Sequence, residues 1–352
     1  MCQPIARNTL KFVQGVCRGP LGLYTSDLRC TDRLQSALPI NPMHRQRPRA
    51  TTGRSLRVIV LVTIALFGSA AGSAVASPRA GDPVMQVPDS LRGRSGRLLF
   101  RILRTDVDPA IEIEPLVRLF GSDRLQRPGL LSVRDSLSEQ PFSFAALVPF
   151  REKQDGRVGL YRVGRWPAEV RRPRTSAYRT PEGFIEVAEQ SREVLVSTHF
   201  TIGQFLTHDQ RDVWPKMLLL DERLIDKLEL VVSELRLAGV RVEGLGVLSG
   251  FRTPQYNARG NVAGRARDSR HTYGDAADVY VDVNGDGRMD DLTRDGRVDI
   301  RDAVRLAKIV ESVENKYPDL VGGLGVYRST GSHGPFVHID ARGERARWGF
   351  PQ

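Results

Sequence analysis

Two histidines and an aspartate, His271, Asp278 and His338, are the residues of this chain best suited by type and spacing to hold a reactive metal. His271 and Asp278 stand seven residues apart in SRHTYGDAADVYVDV, residues 269–283, with Gly274 between them to let the chain turn. His338 lies in FVHID, residues 336–340. Two imidazoles and a carboxylate give zinc three ligands and leave its fourth position for water, the arrangement of a catalytic zinc. Asp278 is expected to open a strand. Alternation along FVHID puts His338 and Asp340 on one face, so Asp340 is expected near the metal, as general base or as a hydrogen-bond partner of a ligand.

The next stretch suggests a second ion. DVNGDGRMD, residues 282–290, sets Asp282, Asn284, Asp286, Gly287 and Asp290 at positions 1, 3, 5, 6 and 9 of an EF-hand-type loop, with Arg288 offering its carbonyl. Its position 12 is Thr293, a weak end. A second loop, starting at Asp291, continues with Thr293, Asp295, Gly296, Arg297 by its carbonyl, Asp299 and Asp302 at position 12. Alternate oxygens around a glycine turn suit calcium, and the second loop resembles dockerin-type calcium loops. The plain alternative is an acidic, solvated loop with no ion. Zinc is expected to do chemistry and calcium to stiffen the insert, 282–302.

The zinc residues carry a family resemblance. SRHTYGDAAD fits the S-x-H-x-x-G-x-A-x-D pattern of the D-Ala-D-Ala metallopeptidases, a group that extends to phage endolysin peptidases and the hedgehog signalling domain. SGFRTPQYN at 249–257 resembles their SGYR segment. HFTIGQFLTHDQ at 199–210 resembles their opening segment, and FVHID with Arg345 and Trp348 the closing end of the murein-peptidase branch. The resemblance covers 199–350. It implies zinc at His271, Asp278 and His338, Arg252 holding a substrate carboxylate or carbonyl, Ser269 lining the site, and peptidoglycan stem peptides as substrate. The chain departs from the family at one place. Where several branches carry an acidic base three residues before the last histidine, it has Pro335, and Phe336 replaces the first histidine of an H-x-H pair. Asp340 leads as the base, and His333 is the rival.

Periodicity supplies the elements that position these residues. Leu224, Leu228, Val231 and Leu235 mark one helix face, with Asp221 to cap it and Gly239 to end it. VEGLGVLSG, DVYVDV, GLGVY and FVHIDAR read as strands, and residues 300–317 as a second amphipathic helix. The expected class is α+β: an antiparallel sheet with flanking helices, like the metallopeptidase and hedgehog folds, preceded by a small β-rich domain. The expected divisions are 1–76 extension and signal, 77–96 linker, 97–195 β-rich domain and 196–352 zinc peptidase.

Composition narrows the setting. The formal charge is +11, but residues 1–76 hold 10 Lys+Arg against 2 Asp+Glu, so the remainder is near +3. No basic face is implied, and nucleic acid is not an expected partner. Arginines from Arg45 to Arg57, the apolar run 58–67 and Ala74-Val75-Ala76 are the three parts of an export signal, with Met43 as an alternative start. An uncleaved anchor at 58–76 is the competing reading. Cleavage leaves no membrane span and places the protein in the periplasm or outside the cell. All three cysteines precede Ala76, so neither disulfides nor cysteine chemistry serve the mature chain. A second function class also fits: a non-catalytic, calcium-dependent cell-wall or protein-binding module on a degenerate peptidase fold.

Overall fold

A computed structural model describes residues 81–104, 113–259, 266 and 268–351. All of them lie in one compact unit, residues 70–352. The export signal and the three cysteines fall outside the described residues. Among the described residues no helix is long and apolar enough to cross a membrane.

The class is mixed α+β, with several small sheets and, among the described residues, five α-helices. Strands β1 (Val84–Met85), β2 (Phe100–Leu103), β3 (Gly129–Asp135) and β4 (Pro141–Ala146) form a four-stranded sheet in the order β1-β3-β4-β2. Helices α1 (Ile113–Phe120) and α2 (Ser122–Leu125) lie between β2 and β3 in the chain. Val87 and Leu91, from the stretch expected to be a linker, pack with Leu116, Val133, Phe142 and Phe144 in a small core. Short strands follow: β5 (Val148–Pro149), the hairpin β6 (Arg157–Val158) and β7 (Tyr161–Arg162), β8 (Gly183–Val187), the pair β9 (Leu195–Ser197) and β10 (Phe200–Thr201), and β11 (Lys216–Leu218).

The boundary expected at 195/196 does not separate two cores. β8 pairs with β5 and with β11, on the far side of that boundary. One large core joins Leu98, Phe100, Trp166 and Phe184 to Leu228, Val279, Val310 and Val337. Short apolar runs reveal strands but not which sheet completes their burial, so sequence texture suggested a break where packing has none.

The remaining elements are α3 (Glu222–Leu237), β12 (Gly246–Ser249), α4 (Pro254–Asn257), β13 (Ala276–Tyr280), α5 (Ile300–Lys316), β14 (Gly323–Tyr327), β15 (Phe336–Asp340) and β16 (Ala346–Trp348). The five strands form one sheet, in the order β12-β13-β15-β14-β16. It is antiparallel except at its edge, where β16 runs parallel to β14. Asp221 caps α3 by accepting the Arg223 N–H at 2.8 Å. Asp299 and Asp302 form a capping box at the start of α5. Beneath the sheet Lys227, wholly buried, donates to Glu314 of α5 at 2.6 Å and to the Asp340 carbonyl of β15 at 2.8 Å. That one ammonium ties both helices to the strand carrying His338.

Candidate metal centre

Sheet register brings the candidate ligands together. Asp278 pairs across with His338 on β15 and with Ser249 on β12. β13 begins at Ala276, so Asp278 sits inside the strand instead of opening it, held from both sides. His271 arrives on a tight turn, Arg270–Tyr273, that ends at Gly274 with φ +77°. A Cβ there would lie 2.4 Å from the Leu219 carbonyl carbon, so both the backbone angle and the space require glycine.

The three residues form a buried group that can hold a metal ion. His271 Nε2 lies 3.1 Å from Asp278 Oδ1 and 3.1 Å from His338 Nδ1, and that Nδ1 lies 3.0 Å from the same Oδ1. Ligand atoms bound at about 2.0–2.1 Å around a tetrahedral ion stand roughly 3.3 Å apart, so this triangle has nearly the right size.

The outer nitrogen of each ring fixes which nitrogen faces inward. His271 Nδ1 is 2.6 Å from the Gly250 carbonyl oxygen, which can only accept, so Nδ1 carries the proton and Nε2 presents a lone pair. His338 Nε2 donates to Asp340 Oδ2 at 3.1 Å and leaves Nδ1 free to ligate. Three electron-rich atoms thus face one another at hydrogen-bond distance, an arrangement that a cation relieves.

Burial lowers the His271 pKa below its ordinary value. For His338 burial acts the same way, but the hydrogen bonds to Asp278 and Asp340 outweigh it and raise the pKa. Burial opposes the charge on Asp278, yet His271, His338 and Arg252 hold its carboxyl well below the usual range.

Asp340 does not stand where a base for metal-activated water is needed. Its carboxylate lies behind the His338 ring, against Nε2, whereas the metal group meets Nδ1. It is fully buried and accepts from the Arg342 guanidinium and, at 2.7 Å, from the Gly323 N–H. Burial opposes its ionisation, but the hydrogen bonds from His338 and Arg342 keep it ionised. Strand alternation gave its face correctly and left open the side of the imidazole it would meet.

Arg252 is at the site. Its Nη2 bonds Asp278 Oδ2, the oxygen not shared with the histidines, and its Nε donates to Ser249 Oγ at 2.8 Å. Ser269 contributes its carbonyl, which accepts the Thr272 hydroxyl at 2.8 Å and closes the His271 turn. His333 is partly buried, with Nδ1 2.8 Å from the Gly334 carbonyl oxygen and its ring edge-on to Phe336. None of its hydrogen bonds reaches the triad. Two groups that spacing did not single out for a role stand beside the triad. Trp348 packs on His338 with ring centroids 5.2 Å apart, and Tyr327 accepts the Trp348 indole N–H at 2.9 Å. Pairing GLGVY antiparallel against FVHID would have found Tyr327.

The turn is also braced from upstream. Trp166 donates its indole N–H to the Thr272 carbonyl at 2.8 Å, and Arg270 reaches the Ala177 carbonyl at 2.6 Å.

The acidic insert repeats one backbone twice. Asp282 accepts the N–H groups of Gly285, Asp286 and Gly287 at 2.7, 3.1 and 2.9 Å. Asp291 does the same for Arg294, Asp295 and Gly296 at 2.6, 3.3 and 2.7 Å. Positions 4 and 6 have positive φ in both loops: Gly285 +76°, Gly287 +77°, Arg294 +60° and Gly296 +80°. Asp302 turns inward to cap α5 and to accept from Thr293, while Arg301 bridges Asp295 and Asp299 at 2.5 and 2.8 Å. Among the described residues, three acidic or histidine ligand atoms gather within 4.8 Å only at His271, Asp278 and His338.

Compared with models of protein families, with curated proteins and with solved structures, the chain matches none.

Proposed function

We propose that the protein is an exported zinc peptidase that hydrolyses peptide bonds in peptidoglycan stem peptides, as a carboxypeptidase or an endopeptidase. The observation that carries this reading is the triangle formed by His271, Asp278 and His338, with each imidazole locked from behind. A set of two histidines and one carboxylate suits zinc and leaves one position open. Zinc, when bound, supplies a Lewis acid and acidifies water. The chain's own residues position the ligand atoms and the substrate. Asp340 and Gly250 aim the rings. Arg252, its side chain about 14% exposed, bonds Asp278, and its guanidinium suits a substrate carboxylate or carbonyl. The resemblance of SRHTYGDAAD, SGFRTPQYN and FVHID to the D-Ala-D-Ala metallopeptidases supports both the substrate class and that family's fold.

A non-catalytic binding module is the second reading. It is favoured by Pro335 standing at the family's base position and by Asp340 facing away from the metal group. Calcium in the insert belongs to either reading, supported by the loop backbone repeated at Asp282 and Asp291.

Incubating the mature chain with muropeptides decides between the two. With zinc, new amines and carboxyls are expected by mass spectrometry, and none after treatment with a chelator. Tight zinc binding with no cleavage of any muropeptide selects the binding module.

A further inference from the structure

The phenol of Tyr327 ends β14 beside the triad, with its proton unclaimed. Trp348 donates its indole N–H to the Tyr327 oxygen at 2.9 Å, and an indole nitrogen cannot accept in return. Among the described residues no acceptor takes the phenol's own hydrogen. Two contacts hold the group in place. Its ring stacks on Phe336 at 4.6 Å and 7°, two residues before His338 on the same strand face. The Trp348 indole packs on His338 at 5.2 Å. Gly325, paired opposite His338, makes room for that indole, since a Cβ there would come within 2.3 Å of it. Burial first, and then the charge on Asp278, raise the Tyr327 pKa, so the hydroxyl keeps its proton at neutral pH.

The other polar groups of the site already have roles. His271 and His338 are ligands, Asp340 lies behind a ring, and Arg252 is bonded to Asp278 and Ser249.

We propose that Tyr327 is a further catalytic residue, whose hydroxyl donates a hydrogen bond to the scissile carbonyl oxygen as negative charge builds there, with Trp348 holding it in position. This rests on the peptidase reading above. A preorganised donor of this kind contributes about 10²–10³ in kcat.

The test compares zinc-loaded wild type with Tyr327→Phe and Trp348→Phe. Three quantities are read: bound zinc, kcat and KM on muropeptides, and affinity for a phosphinate dipeptide, whose tetrahedral phosphorus carries the oxygens to be recognised. Tyr327→Phe is expected to keep its zinc, lose about 10²–10³ in kcat with a smaller change in KM, and bind the phosphinate correspondingly more weakly. Trp348→Phe should fall between the two. If wild type cleaves and Tyr327→Phe matches it in kcat and phosphinate affinity, the inference is wrong while the peptidase reading stands. Loss of zinc from Tyr327→Phe would also overturn it, because the residue would then be structural. A wild type that neither cleaves nor binds the phosphinate removes the peptidase reading, and this inference with it.

Discussion

A histidine binds a metal through one nitrogen, and the partner of its other nitrogen decides which one. At His338 that partner is Asp340, itself clamped by Arg342 and the Gly323 N–H. Asp340→Asn is therefore expected to weaken zinc binding by roughly 10- to 100-fold, with activity returning at saturating zinc. Competition against a coloured chelator measures the first, and a zinc titration of activity the second. A loss of about 10²–10⁴ in activity with zinc affinity unchanged would instead make Asp340 a base. Arg252→Lys, which keeps the charge but loses the flat two-pronged guanidinium, should retain zinc and lose activity on muropeptides. Unchanged kcat/KM in that variant would remove Arg252 from substrate recognition. That His271, Asp278 and His338 gather into one group able to hold a metal was legible from residue type and spacing. The direction of the Asp340 carboxylate was not, because alternation assigns a residue to a face and says nothing about which ring nitrogen its neighbour turns toward it. Tyr327 was missed because the strand pairing that places it joins segments nine residues apart, and only register reveals the stack on Phe336.

At the scale of elements, the helices α3 and α5 and the strands around His338 were readable because their apolar faces repeat at the right periods and their ends carry caps such as Asp221. The turn before β13 was readable in part, since Gly274 announced it while the close approach of Leu219 came only from the packing. Gly274→Ala should destabilise the fold by about 1 kcal/mol or more, since it forces a Cβ into both a left-handed backbone and an occupied space. Thermal unfolding and zinc content, measured together, test whether His271 shifts with it. In the insert, Asp291 and Asp295 share their loop with Arg301, which already neutralises Asp295. If calcium enters, wild type should gain thermal stability when the ion is added. Asp295→Ala should lose that gain while melting close to wild type in its absence. Equal melting temperatures in saturating calcium would leave the insert as a solvated acidic loop.

For the whole molecule, the segment 97–195 is packed into the same core as the sheet that carries Asp278 and His338, which composition could not reveal because it contains no chemistry of its own. A fragment starting at residue 196 should not fold. It strips β8 from β11 and removes the Trp166 bond to the turn that presents His271. Circular dichroism and proton NMR of that fragment would show broad, unpacked signals, and a cooperative melt would argue against a shared core. Outside the described residues, cleavage after Ala76 predicts secreted protein whose first residue is Ser77, readable by N-terminal sequencing. Retention of 58–76 in a membrane fraction would favour the anchor. The tryptophans give the centre an optical voice. Of the chain's three, Trp348 lies against His338, Trp166 is bonded to the His271 turn, and Trp214 lies beside Lys216. A coloured ion such as cobalt entering the triad should quench the first two emitters, so loading could be followed by intrinsic fluorescence, without a substrate or an added dye.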